Sequence, residues 1–192
     1  MADSIRDKFL LGEKVGMTQI FKDEKTLPVT VIKAGPCQVV DLKTKERNGY
    51  SAVVLSFLIK DRKKILKEFR LKEDTDIFKI GDTLDVNIFQ VGDKVKIRAR
   101  RKAKGFSGVV KRHGFAGGPK THGQEDTHRH GGSIGQKWPQ RVRKGLKMAG
   151  RIAPNYVTVK NLKVIDILAE NNIILVKGSI PGPNHSLVEI KG

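Results

Sequence analysis

Arg98 to Arg151 reads RARRKAKGFSGVVKRHGFAGGPKTHGQEDTHRHGGSIGQKWPQRVRKGLKMAGR, and its reading divides the chain. These 54 positions hold fifteen Lys or Arg against two acids, Glu125 and Asp126, so they carry +13 of the chain's formal charge of +18. Eleven glycines and no long aliphatic run leave the stretch too little apolar surface to offset the entropy of ordering it alone. Such a segment is expected to take its shape on a polyanion.

The sequence on either side has a different texture. Val15 to Phe21, Pro28 to Lys33 and Gln38 to Lys43 are apolar, partly β-branched runs separated by turn chemistry at Asp23-Glu24, Gly35-Pro36 and Asn48-Gly49. Tyr50 to Phe57 follows as a strand, with Asn48-Gly49 suited to a tight hairpin. Asp61 to Leu71 reads as a short helix with Ile65, Leu66 and Phe69 on one face, or as a strand beginning near Glu68. Leu84, Val86 and Ile88 alternate with polar residues as in a half-exposed strand, and Lys94 to Ala99 continues the pattern. Beyond the basic stretch, Tyr156 to Val159, Leu162 to Leu168 and Ile173 to Lys177 are strands, with Leu187 to Ile190 as a final edge strand.

Neither flank alone makes a comfortable all-β core. The expected architecture is therefore one β-barrel or sandwich body, residues 1–97 plus 152–192, with the basic, Gly-rich, largely irregular segment 98–151 inserted between strands. With about 27 residues per leg, an out-and-back excursion reaches at most about 90 Å. The insertion is a finger rather than a tether.

Several functions are excluded or weakened. The single cysteine, Cys37, rules out an internal disulfide and reads as a small buried apolar group in a reducing cytosol. MADSIRDKFLLGEK has no apolar core of a signal peptide, and no run approaches the roughly 18 apolar residues of a membrane span. His122, His128 and His130 flank Glu125 and Asp126, which raises a metal site and with it a metal-dependent nuclease. The spacing fits no zinc pattern and the surrounding arginines repel a dication, so no metal, cofactor or catalytic residue is assigned. Ser107/His113 and Ser133/His130 lack a third orienting group, and none of the glycine clusters meets a nucleotide-binding pattern.

What remains is nucleic-acid binding. No helix-turn-helix, zinc finger or paired basic helix is present to read a DNA major groove. A Gly-rich cationic finger suits irregular folded RNA, with backbone amides approaching phosphates closely. The candidate RNA-binding residues are Arg98, Arg100, Arg101, Lys102, Lys104, Lys111, Arg112, His113, Lys120, His122, His128, Arg129, His130, Gln136, Lys137, Trp138, Arg141, Arg143, Lys144, Lys147 and Arg151. Trp138, the only tryptophan, sits between Lys137 and Pro139 without a core around it, so its ring is a candidate for stacking on a base.

Six motifs then carry a resemblance along nearly the whole chain, from about Gly12 to Ile190. GEKVGMTQIF (Gly12 to Phe21), PVTVIKAGPCQV (Pro28 to Val39), KGFSGVVKRHGF (Lys104 to Phe115), GGSIGQ (Gly131 to Gln136), KGLKMAGR (Lys144 to Arg151) and NLKVIDILAENNIILVKGSIPGP (Asn161 to Pro183) resemble, in the same order, the large-subunit ribosomal protein L-three family of bacterial type. The resemblance implies a six-stranded translation-protein-type β-barrel and a structural, non-enzymatic role in the cytoplasmic ribosome. It implies binding of 23S ribosomal RNA near its 3′ end, help in nucleating subunit assembly, and a finger extending toward the peptidyl transferase centre. Partners would be that RNA and neighbouring large-subunit proteins, with no membrane or small-molecule substrate; a free RNA-binding module or RNA chaperone is the alternative. Carried over, KGFSGVVKRHGF and KGLKMAGR are the finger's two legs and Gly132 to Pro139 lie near its tip. A glutamine methylated in certain relatives falls at Gln136 or Gln140. Ala103 and Arg100-Arg101 depart from the family pattern toward a stiffer, more cationic base of the finger.

Overall fold

The computed structural model describes residues 8–22, 24–59, 63–71 and 77–192. Asp23 of the expected first turn and Asp61 and Arg62 of the expected helix lie outside them. Two compact units are present, Met1–Arg101 with Tyr156–Gly192, and Lys102–Asn155. Among the described residues, no helix is long and apolar enough to cross a membrane.

In the first unit, β1 (Phe9–Lys22), β2 (Lys25–Ala34), β7 (Lys94–Arg100), β10 (Tyr156–Leu168), β11 (Ile173–Lys177) and β12 (Leu187–Lys191) close into a barrel in the order β1-β12-β7-β10-β11-β2. Every neighbouring pair is antiparallel, including β1 with β2, which completes the ring. The sequence of β7 shows why. KVKIRAR alternates strictly, so Val95, Ile97 and Ala99 are fully buried while Lys94, Lys96, Arg98 and Arg100 face outward. Val188 and Ile190 of β12, Val164 of β10, and Ile174 and Val176 of β11 join the same core. Burying each such Val or Ile stabilises the fold by roughly 1.5 to 3 kcal/mol.

A second sheet, β5-β4-β3-β6, is built from β3 (Cys37–Lys43), β4 (Ala52–Ile59), β5 (Lys63–Arg70) and β6 (Thr83–Leu84). It covers the start of β1, where Phe9, Leu10 and Leu11 are all buried, so the consecutive apolar residues are hidden on both faces. The Phe9 ring stacks on Phe69 at 4.9 Å between centroids and meets Phe78 at 5.3 Å. The Cys37 thiol lies 3.5 Å from the Leu11 carbonyl oxygen, and burial pushes its pKa up to about 12. Cys37 is thus the buried apolar group expected of it.

Five expectations need correction. Lys63–Arg70 is a strand paired along its length with β4, not a helix, because its apolar face is recruited by Val53 and its neighbours. Asn48-Gly49 does not form a two-residue hairpin; the chain makes α1 (Lys45–Asn48), and Gly49 ends it in the left-handed region. Val86–Ile88 is a 3₁₀ turn rather than a strand, with Val86 buried and Phe89 packed beyond it. Tyr156 to Leu168 is one continuous strand with a register shift between Val159 and Leu162, where Asn161 takes a positive φ. Finally, β12 is no edge: it lies between β1 and β7 and is paired on both sides.

Candidate nucleic-acid interface

Charge is handled differently in the two units. In the first, four cations find carboxylates among the described residues. Lys8 Nζ is 2.8 Å from Asp93, Lys43 Nζ is 2.6 Å from Glu68, and Glu189 is shared by Lys67 at 3.3 Å and Arg98 at 3.5 Å. Lys43 holds the Glu68 carboxyl below the usual carboxylate range. Burial pulls the Lys67 ammonium down, but Tyr156 and Glu189 together carry it above its ordinary value. Arg98 also lies over the Tyr156 ring, its guanidinium carbon 4.7 Å from the centroid.

Arg98 and Arg100 belong to the barrel strand β7, and the compact unit that contains it runs to Arg101 and resumes at Tyr156. The reason is register. Arg100 pairs with Tyr156 and Arg98 with Thr158, so alternation inside β7 continues past the point where cations begin to dominate the sequence.

The second unit has twelve Lys or Arg between 102 and 151 and only the acids Glu125 and Asp126. All twelve are exposed, and among the described residues none has a carboxylate within salt-bridge distance. The unit is nevertheless locally built. Its root is a two-stranded pair, β8 (Gly105–Ser107) with β9 (Gly150–Ile152), extended by a bond from the Lys104 amide to the Ile152 carbonyl at 3.2 Å. Next comes α2 (Val109–His113), which carries Lys111, Arg112 and His113. Arg112 Nη1 and His113 Nε2 both donate to the Met148 carbonyl oxygen, at 2.8 and 3.0 Å, and so tie the outgoing leg to the returning one. The Ser107 hydroxyl is buried here and has no hydrogen-bond partner among the described residues.

Farther out the backbone doubles back on itself. The Gly118 amide donates to the Thr127 carbonyl at 3.1 Å, and a Cβ on Gly117 would run into the His128 carbonyl, so only glycine permits this approach. A groove of about 780 Å³ opens there, lined by Phe115, Gly117, Gly118, Thr127, His130 and Gly131. Lys120, His122, His128 and Arg129 lie along the same excursion; among the described residues no three His, Cys, Asp or Glu side chains cluster as metal ligands would. At the far turn Ser133 Oγ donates to the Gly135 carbonyl at 2.7 Å and Gln136 Nε2 to the Trp138 carbonyl at 2.8 Å. Trp138 itself is 79% exposed. Lys137, Arg141, Arg143, Lys144 and Lys147 continue exposed along the return to Arg151 in β9.

The structure thus brings Arg112 and His113 together on one acceptor and leaves the remaining candidates distributed along an open surface. Such a surface can neutralise phosphates in series. One residue escaped the reading of the sequence: Phe106, on β8, is 77% exposed.

The family model described as Ribosomal protein L3 matches residues 73–172. The large ribosomal subunit protein uL3 of Herpetosiphon aurantiacus is 48% identical over 199 residues, covering 94% of this chain and 94% of that one. The proteins of the same name from Fervidobacterium nodosum and Deinococcus radiodurans are 45% and 44% identical, covering 96% of this chain and 97% and 94% of theirs. With likeness of this degree along the whole length, the chain belongs to the ribosomal protein L3 family.

Proposed function

We propose that this chain is a structural constituent of the large ribosomal subunit in the cytoplasm. On this reading it binds 23S ribosomal RNA near its 3′ end and helps to nucleate assembly. Its arm, 102–155, extends toward the peptidyl transferase centre. The observation that carries the reading is the run of twelve exposed cations that, among the described residues, have no carboxylate partner, on a backbone that doubles back closely at Gly117 and Gly118. Like charge at this density is destabilised by self-repulsion until an anion neutralises it, and RNA phosphates are spaced to do so. In the body, by contrast, Lys8, Lys43, Lys67 and Arg98 are engaged by carboxylates, which suits a scaffold that holds the arm. The names of the relatives, all large-subunit proteins, point the same way.

Within this reading Lys102, Lys104, Lys111, Lys120, Arg129, Lys137, Arg141, Arg143, Lys144, Lys147 and Arg151 contact phosphates, and Trp138 meets a base. Arg112 and His113 hold the two legs together as well as facing RNA. The test is sedimentation of a lysate through a sucrose gradient: the chain is expected in one-to-one ratio with large subunits and absent from the top fractions. A chain found mainly free would favour a mobile RNA-binding module instead.

A further inference from the structure

The two faces of the β8–β9 pair differ. Ser107 points inward and is buried, and Gly150 lies directly opposite it, crossed by the Arg112 guanidinium. Side chains alternate along a strand, so Phe106 emerges on the other face. Its cross-strand partner is Arg151, and directly paired residues of an antiparallel ladder share a face with Cβ atoms about 5 Å apart. An aromatic ring and a guanidinium therefore stand side by side, both exposed.

Five of the six phenylalanines of the body are buried. Phe9, Phe57, Phe69, Phe78 and Phe89 are each no more than 7% exposed; Phe21, near the end of β1, is 73% exposed, and Phe106 is 77% exposed on a strand whose other face is covered. Exposed Lys102 and Lys104 precede the ring, and no acid falls between 102 and 124 or between 127 and 155. A protein partner would meet a ring walled by unpaired cations, the opposite of the charge-depleted centre of protein interfaces. A nucleotide needs both parts, a flat apolar face for its base and a cation for its phosphate.

We propose that the outward face of the β8–β9 pair is a site for one unpaired nucleotide of RNA, its base stacked on Phe106 and its phosphate held by Arg151. The proposal rests on the RNA-binding reading above and deepens it by naming the form of RNA that the root of the arm accepts. Paired bases are already stacked on both faces within their helix, so the site selects single-stranded or bulged residues.

The test uses the full chain and two probes, a twelve-residue oligouridylate and a fully paired RNA duplex of equal length, at several salt concentrations. Phe106→Leu is expected to weaken oligouridylate binding by about five- to a hundredfold while leaving duplex binding within about twofold. Phe106→Trp should retain affinity for both. The ring carries no charge, so Phe106→Leu leaves the salt slope unchanged, whereas Arg151→Gln lowers it by about 0.7 on the single strand. If Phe106→Leu binds oligouridylate as tightly as the parent chain, the nucleotide site is refuted while RNA binding stands. Equal losses on both probes would also overturn it, because the ring would then act through the fold. A parent chain without salt-dependent binding to either probe would defeat the underlying reading and this site with it.

Discussion

Arg112 Nη1 donates to the Met148 carbonyl oxygen at 2.8 Å, and to reach it the guanidinium crosses directly over Gly150. A side chain from the outgoing leg of the arm is thereby fastened to the backbone of the returning leg, 36 residues later. The arm is thus cationic throughout yet has a root with a defined register.

This arrangement predicts the effect of Gly150→Ala. A new Cβ would collide with the Arg112 guanidinium, the far end of a flexible side chain, so the guanidinium moves and the backbone remains. The Arg112–Met148 bond should be lost with the fold intact. Hydrogen exchange at the Lys104 amide, bonded to Ile152 across the root, is expected to accelerate by about tenfold, while barrel amides such as those of β7 keep their protection. Arg112→Ala should reproduce this effect. Slow exchange at Lys104 in both variants would show that the strand pair holds the root unaided.

Asp93 supplies a pH dependence whose sign can be stated. Burial pushes its carboxyl upward, but the bonds from Lys8 Nζ at 2.8 Å and the Gln90 amide at 3.0 Å outweigh burial and leave its pKa below the ordinary value. A carboxyl depressed in the folded state stabilises the fold above its unfolded pKa, near 3.9, and loses that contribution as pH falls through the lower folded value. Asp93→Asn should therefore cost about 1 kcal/mol at pH 7 and much less once the pH has fallen through that lower folded value. Urea denaturation across pH measures it, and a constant difference between the two proteins would contradict the assignment.

Much of this was readable from sequence, for identifiable reasons. Strict alternation located β7, and Ile173–Lys177 was found with the bounds it has in the structure. The insertion announced itself by charge. What failed depended on partners that are distant in sequence. Lys63–Arg70 has helical spacing of its apolar residues and becomes a strand only because β4 offers an edge, and Phe9 to Leu11 are buried on both sides only because a second sheet folds over them. Arg98 looked like part of the arm because composition does not reveal that Glu189 and Tyr156 lie beside it. Phe106 lies within KGFSG, whose glycines point to close backbone approach; the available signal is a phenylalanine close after Lys102 and Lys104 in a segment with no core.

Trp138→Ala tests whether the far turn serves the body at all. The ring is 79% exposed, and the bond in its neighbourhood, from Gln136 Nε2 to the Trp138 carbonyl, uses backbone and survives truncation. Folding stability should change by less than about 0.5 kcal/mol, with melting temperature the same within error. Affinity for large-subunit RNA is expected to fall by about five- to a hundredfold, since stacking of one base is lost. A melting temperature lowered by several degrees would place the ring in a structural role instead.

The barrel should outlive the arm entirely. Arg100 of β7 and Tyr156 of β10 are direct ladder partners, so the chain leaves and re-enters the body at adjacent positions of one antiparallel pair. Replacing residues 101–155 with Asn-Gly would join those partners through the two-residue turn that antiparallel strands favour. No residue of the hydrophobic core is removed, because every member of that cluster lies outside the replaced segment. The shortened chain should unfold cooperatively with a melting temperature within a few degrees of the parent. It should also lose the steep salt dependence of RNA binding, since the twelve unpaired cations go with the arm. The loss of affinity and the retention of the fold must appear in the same protein. A truncated barrel that still bound large-subunit RNA with the parent's salt slope would move the interface from the arm to the body, and one that failed to fold would make the arm part of the core.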